Sequence, residues 1–345
     1  MGIVGIAIHG TGDSSPFYNP AGLNDLTEGR FQFLAMTFDV AANSVRAVNG
    51  ILDLKDDVNR APDDAGKVDA LNNYINKHSG EFDHLRWALD LVNYARKDFA
   101  VGLVIDERLD LSFRNQAFPN FDIRNLGDVA LYVSGSHAFW EKLLQVGVTL
   151  RPTVRFALDQ QDEQITYGDV VTENADGDPI LVDELERIKN RRFGLGIDVG
   201  AKSDLSRFDW IPGFAYLKPS VGVTWQDIGS PSFSGAEPNG QSVGVGVAVF
   251  PAVWKLKNTV SFDIRDLNRE RDFITRTHFG AESELRWKKL GAALRAGLTQ
   301  GYLTAGLTMD FWLLKIDGAY YNEEVGIKTR EGGNTRYAVT ISFNI

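Results

Sequence analysis

Between residues 290 and 311 the chain alternates apolar residues with small or charged ones, and no other stretch constrains the fold as tightly. Leu290, Ala292, Leu294, Ala296 and Leu298 fall on one side, with Ala293, Arg295, Gly297 and Thr299 on the other. After Gln300-Gly301 the pattern resumes, with Leu303, Ala305, Leu307, Met309 and Phe311 set against Thr304, Gly306, Thr308 and Asp310. A side-chain period of two belongs to a β-strand, and two such runs joined by a short glycine-containing link predict an antiparallel hairpin.

The same period recurs through most of the chain. It predicts strands over 31–40, 85–91, 99–113, 129–133, 144–156, 193–199, 217–225, 243–249, 260–264, 279–287, 314–320 and 337–345 besides the hairpin, about fourteen in all. The 85–91 segment also fits a helix. A turn is expected at Pro119-Asn120, and a short link at Phe139-Trp140. Two long polar insertions interrupt the strands. Residues 45–83 contain a Pro62 breaker and a helical spacing at Val68, Leu71 and Ile75 closed by Gly80; residues 158–191 show a helical spacing at Leu181, Leu185 and Ile188. These connections, with 228–239 and 324–334, alternate with short ones at 96–98, 252–254 and 288–289. Long loops at one end and short turns at the other are what an outer-membrane barrel shows.

Alternation by itself also fits a soluble sandwich, so the non-apolar face has to decide. That face is rich in glycine and carries both signs of charge: Asp106, Arg108, Arg151, Arg155, Asp263, Arg265, Glu282 and Arg295 among others. Together with many strands of roughly ten residues and aromatic residues at strand ends (Phe99, Trp225, Trp287, Phe311), this places the charged set in an enclosed lumen and the apolar set in lipid. A hydrophobic content of 43% is consistent, because only every second residue of such a barrel meets lipid. No run of 18 apolar residues exists, which excludes a transmembrane helix. The expected fold is all-β: a 14-stranded antiparallel transmembrane β-barrel of the bacterial outer membrane, with short helices in its extracellular loops.

A net charge of −10 excludes nucleic acid as a partner, since binding phosphates needs a basic surface. The absence of cysteine suits an envelope protein. No basic region precedes an apolar stretch at the N-terminus, so an exported form is expected to be mature or trimmed here. No Gly-x-Ser-x-Gly elbow is present, and His9, His78, His84, His137 and His278 lack metal-ligand spacing. Catalytic, cofactor and metal residues are therefore expected to be none, and the chain is not expected to be an enzyme. His9-Gly10-Thr11-Gly12 is followed by prolines rather than a helix, which rules against a phosphate loop. Residues 174–178 read as a solvated turn rather than a calcium loop.

The Met1-Gly2 start, the Asp13-Ser14-Ser15 turn and Asn19-Pro20-Ala21-Gly22-Leu23 ahead of the first strand resemble the mature N-terminus of the FadL/TodX (OMPP1) long-chain fatty-acid transporter superfamily, including its PorV-like and TraF-like relatives. The resemblance implies that residues 1–29 fold inside the lumen as a hatch, with Asn19, Pro20, Ala21 and Gly22 in its turn, and that residues 30–345 form the barrel. It implies passive uptake of hydrophobic small molecules, with outer-membrane lipid and a hydrophobic ligand or detergent as partners. Ile3, Val4, Ile6, Ala7 and Ile8 of the hatch would then supply apolar walls. The alternative it carries is a PorV-like plugged barrel that docks protein partners through the 45–83 and 158–191 loops. A lateral opening at the third strand would make Glu107, which interrupts that strand's apolar row, part of a gate; a β-bulge or a position near the interface is the other reading. The closing residues Phe343-Asn344-Ile345 depart from the aromatic ending usual in such barrels.

Overall fold

The computed structural model describes residues 4–8, 14–44, 57, 60–114, 120–157, 164–166, 191–326 and 329–344. Fourteen long strands carry the alternating segments: β1 (Arg30–Ala41), β2 (Phe82–Arg96), β3 (Phe99–Arg114), β4 (Asn120–Phe139), β5 (Leu144–Ala157), β6 (Arg191–Asp204), β7 (Ser220–Gln226), β8 (Ser242–Val249), β9 (Leu256–Ile264), β10 (Thr277–Trp287), β11 (Leu290–Thr299), β12 (Tyr302–Phe311), β13 (Leu314–Glu324) and β14 (Gly333–Asn344). Each pairs antiparallel with the next, and β14 pairs with β1, placing Val339 opposite Phe38 and Tyr337 opposite Val40. The sheet is thus a closed barrel. Closure lets the ladder satisfy its own backbone groups, as lipid requires. Two short segments add to it: Ala252–Val253 pairs with the start of β9, and Gln164–Thr166 with the start of β4.

Burial follows the alternation, with the two faces reversed relative to a soluble protein. In β6, Phe193 is 66% exposed while Arg192, Asp198 and Lys202 are buried. Leu294, Leu303, Phe38 and Phe279 likewise point outward, and Thr299, Thr304, Thr308 and Asp263 inward. The exposed apolar side chains form a band around the whole circumference, far beyond the patch of a few hundred Å² that a soluble monomer shows. At the short-turn end Trp140, Trp210, Trp254, Trp287 and Trp312 are all exposed. Lysines accompany them: Lys289 Nζ lies 3.2 Å from the ring centre of Trp312, and Lys255 Nζ 5.5 Å from that of Trp254. Aromatic rings with nearby cations at one rim are the arrangement of a membrane interface.

The structure differs from the sequence expectations at several places. β4 starts at Asn120 and pairs with β3 along its full length, where a turn and a shorter strand are expected. The apolar row fails there because Asn125 and Gly127 occupy the outer face. Leu217 belongs to a short helix, Phe214–Leu217, and β7 begins only at Ser220, so the connection 205–219 is long although it lies at the short-turn end. Residues 85–91 are strand. The helix of the first insertion is present as Asp64–His78, capped by Asp63, whose Oδ1 accepts from Gly66 N at 2.8 Å, and followed by Gly80 at φ +86°. The helix expected near 181–188, the 9–12 loop and the 174–178 turn lie outside the described residues.

Two irregularities bend the wall beside each other. β1 shifts register between Gln32 and Leu34, and β2 between Leu91 and Tyr94, with Val92 in the left-handed region at φ +51°. β3 is regular where Glu107 sits, paired with Trp87 on one side and Gly127 on the other. The bulge reading of Glu107 therefore does not describe this strand.

Candidate functional site

Residues 4–8 and 14–26 lie inside the barrel, with their polar atoms fastened to the wall of β5 to β9. Their polar backbone atoms cannot reach water there, and wall side chains satisfy them. Asp263 of β9 accepts from Gly5 N at 2.8 Å and Ile6 N at 3.1 Å. Lys202 of β6 reaches Ile8 O at 3.3 Å and pairs with Asp25, which also meets Lys142 at 3.4 Å. Ser220 donates to Ala7 O, Thr149 to Pro16 O and Gln226 to Phe17 O.

Asn19 ties the turn together. Its Oδ1 accepts from Ala21 N at 3.1 Å and starts the short 3-10 helix Pro20–Asp25, while its Nδ2 donates to Ile6 O at 2.8 Å and Ala201 O at 3.1 Å. Pro20, Ala21 and Gly22 are buried with it. The turn fits because the wall beneath is made of glycine. A Cβ at Gly147 would sit 2.5 Å from Ala21 N, one at Gly200 2.0 Å from Asn19 Oδ1, and one at Gly222 2.4 Å from Ile6 O. Gly147 pairs with Gly200, and Gly222 with Gly246, so these positions form a shallow trough across β5 to β8. Apolar contacts complete the seat: Val4, Ala7 and Ile8 against Ala248 and Phe250, and Leu23, Leu26 and Phe17 against Ala95, Ala100 and Tyr132. Of the apolar residues expected to wall a passage, Val4 and Ile8 line the open side of the lumen, while Ile6 and Ala7 are wholly buried; Ile3 lies outside the described residues.

The opposite half of the lumen is open. A cavity of about 1600 Å³ is lined from β9 to β14 and from β1 to β3, and none of its lining residues comes from β4 to β8. It touches Gln300 and Glu323 at the long-loop end and Lys218, Phe250 and Trp312 at the short-turn end. Its acidic and basic side chains are equal in number.

The charged residues expected in the lumen all project inward, and they divide into two groups. Asp106, Arg108, Glu282 and Arg295 face the cavity. Asp106 takes a bidentate pair from Arg86 at 2.7 and 2.8 Å, Arg108 pairs with Asp110 at 2.8 Å, and Arg295 joins Glu282 and, at 3.2 Å, Asp317. Arg151, Arg155, Asp263 and Arg265 belong to the filled half. Arg151 pairs with Asp227 at 2.6 Å, Arg155 with Asp128 at 2.6 Å, and Arg265 lies 3.7 Å from Asp263 and over the Tyr18 ring at 5.0 Å. Glu107 is on the outer face, where its Oε1 accepts from Asn125 Nδ2 at 2.6 Å.

The sequence reading missed Lys202, Ser220 and Gln226 as anchors, because their partners lie far away in the chain. It also missed a buried group at the long-loop end, where His84 Nδ1 is 2.5 Å from Asp110 Oδ1, His84 Nε2 is 3.8 Å from Asp39 Oδ2, and Tyr321 donates to Asp39. This group crosses the closure of β14 on β1, β2 and β3. Among the described residues no cluster of three or more metal-ligating side chains is present.

Neither a protein-family model nor a curated protein sequence matches the chain. Among solved structures, a deltaS2S3 mutant of the TodX monoaromatic hydrocarbon channel superposes with a TM-score of 0.51 at 10% identity, covering 99% of this chain and 96% of that one. The P. putida toluene transporter TodX gives 0.48 at 11% identity over 100% and 96%, and the CymD monoaromatic hydrocarbon channel 0.43 at 12% over 99% and 94%. At such identities the likeness concerns the fold alone, a closed antiparallel 14-stranded barrel.

Proposed function

We propose that the chain is an outer-membrane channel through which small solutes pass passively, along the side of the lumen formed by β9 to β14 and β1 to β3. The observation that carries this reading is the eccentric hatch, which fills one half of the lumen and leaves a cavity of about 1600 Å³ lined at both ends of the strands. The lining also bears on the cargo. Transfer of hydrocarbon out of water gains about 25 cal/mol per Å² only when the receiving surface is apolar, and here Arg86, Asp106, Glu282, Arg295, Asp317 and Arg336 face the passage. Polar solutes suit that lining better than the hydrophobic molecules implied by the family resemblance or the monoaromatic hydrocarbons for which TodX and CymD are channels.

The test is reconstitution of the purified barrel in liposomes and planar bilayers. Swelling driven by small sugars or amino acids, together with a measurable conductance, is expected; toluene uptake no faster than through protein-free liposomes would fit the charged lining. A barrel that passes neither ions nor sugars would overturn the channel reading. Membrane fractionation of cells making the protein tests its location.

A docking role is a second reading, favoured by the folded helix Asp64–His78 outside the strands. Its test is co-purification of partner chains that is lost when residues 45–81 are replaced by a short linker.

A further inference from the structure

The β7–β8 connection, residues 227–241, does not stand out from the rim. It turns inward at the long-loop end and puts one aromatic ring inside the barrel. Phe233 is 1% exposed and occupies a notch in β6 that exists because residue 194 is glycine: a Cβ there would lie 2.4 Å from the Phe233 ring. Arg155 of β5 covers the other face of the ring, its guanidinium carbon 4.0 Å from the ring centre. Asp128 holds that guanidinium through two hydrogen bonds at 2.7 and 2.6 Å, and Arg155 also donates to Asn239 Oδ1 at 2.7 Å and to the Glu237 carbonyl. The Glu237 carboxylate is clasped by the Arg124 guanidinium of β4, Nε to one oxygen and Nη2 to the other.

The remainder of the loop makes a different kind of surface. From 231 to 240 only Phe233 and Ala236 are buried, packed with Ala157 and Leu126, and Gly229 and Gly235 sit at φ +80° and +97°. Between its two ends the loop is held by one ring, one small side chain and the two arginines Arg124 and Arg155. The ends are fixed separately, by Asp227 N and Ile228 N to β6 and by Arg269 and Asn268 to the Gly240 and Gln241 carbonyls. A segment with few apolar contacts and exposed surroundings opens at low cost compared with the sheet that carries it. Its root is tied to the wall through Asp227, which pairs with Arg151 of β5, and the adjacent Gln226 at the end of β7 reaches the hatch by donating to Phe17 O. Loop and hatch thus close the same half of the lumen, one at the rim and the other within the barrel.

We propose that residues 227–241 form a lid, latched by Arg124 and Arg155, and that its release opens the β4 to β6 side of the lumen at the long-loop end. This goes beyond the passage along β9 to β3, which is open with the lid shut.

The chain has no native cysteine, so introduced thiols report cleanly. With Ala236→Cys as the reporter, a membrane-impermeant maleimide should label the folded barrel slowly. Adding Glu237→Gln should speed labelling by ~10-fold, the change in open population expected on losing about 1.4 kcal/mol of latch. A Leu126→Cys, Ala236→Cys pair should form a disulfide that holds the lid shut, and conductance should rise on reduction when Glu237→Gln is also present. Heat-modifiable gel migration identifies variants whose barrel has assembled. Fast labelling of Ala236→Cys alone, or labelling unchanged by Glu237→Gln, would overturn the lid. Because labelling reads the lid without any transported solute, a failure of the channel reading would leave this result interpretable.

Discussion

Asp263 and Gly5 stand 258 positions apart, yet the carboxylate of the first accepts the backbone N–H of the second at 2.8 Å, and the neighbouring Ile6 N–H at 3.1 Å. Asp263 is buried in the β9 wall, so this side chain is both a lumen charge and the peg of the hatch. Replacing it with alanine leaves two enclosed N–H groups without their acceptor, at about 1 to 3 kcal/mol each. Asp263→Ala is expected to loosen residues 4–8 while the barrel stays assembled. Hydrogen exchange of Gly5 and Ile6 amides checks it: they should exchange much faster than in the parent, while β10 to β14 amides keep their protection. Unchanged exchange at these two amides would show that the hatch is held by other contacts.

The glycine trough makes a separate prediction about shape. Gly147→Ala places a methyl 2.5 Å from backbone atoms of Pro20 and Ala21, which cannot swing away as a side-chain tip does. The Asn19–Gly22 turn is expected to lift from the wall. Gly135→Ala is the matched control, since nothing lies within 4 Å of its added methyl. Limited proteolysis of the folded barrel should cut near residues 19–26 in Gly147→Ala and leave Gly135→Ala as resistant as the parent. Equal resistance of both would mean that the trough does not set the position of the turn.

What could be read from the chain beforehand follows from how far each feature depends on distant partners. Leu290 to Leu298 declare their strand locally, because lipid on one side and a polar lumen on the other impose the period of two residue by residue. The start of β4 was hidden for the same reason in reverse: Asn125 and Gly127 put polar and absent side chains on the outer face, and the period vanished. Lys202 and Asp263 looked like any lumen charges, and only the folded chain brings Asp25 and Gly5 to them. Phe233 sits among Ser, Gly and Pro with no period at all, so the 228–239 stretch reads as an ordinary external loop. A lone aromatic in such a loop was the available signal, and its receptor, Gly194, is on another strand.

The cavity charges are balanced by pairing within the wall, which predicts how single changes act on permeation. Glu282→Gln leaves Arg295 with Asp317 and adds a net positive charge to the passage; Arg295→Gln leaves Glu282 without its partner and Asp317 with Lys315 alone, a net negative change. The first is expected to move ion selectivity toward anions and the second toward cations. Reversal potentials across a salt gradient in planar bilayers measure this, and they should shift in opposite directions from the parent. Identical potentials in all three proteins would place the conducting path away from β10 and β11.

Glu107 offers the clearest separation between a gate and a wall residue. It lies on the outer face between Trp87 and Gly127, its carboxylate bound by Asn125 at 2.6 Å, in a stretch where β3 is paired on both sides. A carboxylate facing lipid costs less than the ~2 to 4 kcal/mol of a midplane Arg or Lys, and the Asn125 hydrogen bond offsets part of that. Because the ladder is unbroken at this position, Glu107→Leu has no opening to close. The expectation is unchanged solute flux in liposomes and a change in unfolding free energy below about 2 kcal/mol, with Asn125→Leu added to remove the stranded amide. A large loss of flux in a fully assembled Glu107→Leu barrel would instead place a sideways exit at β3, and the passage would have to be redrawn through the wall.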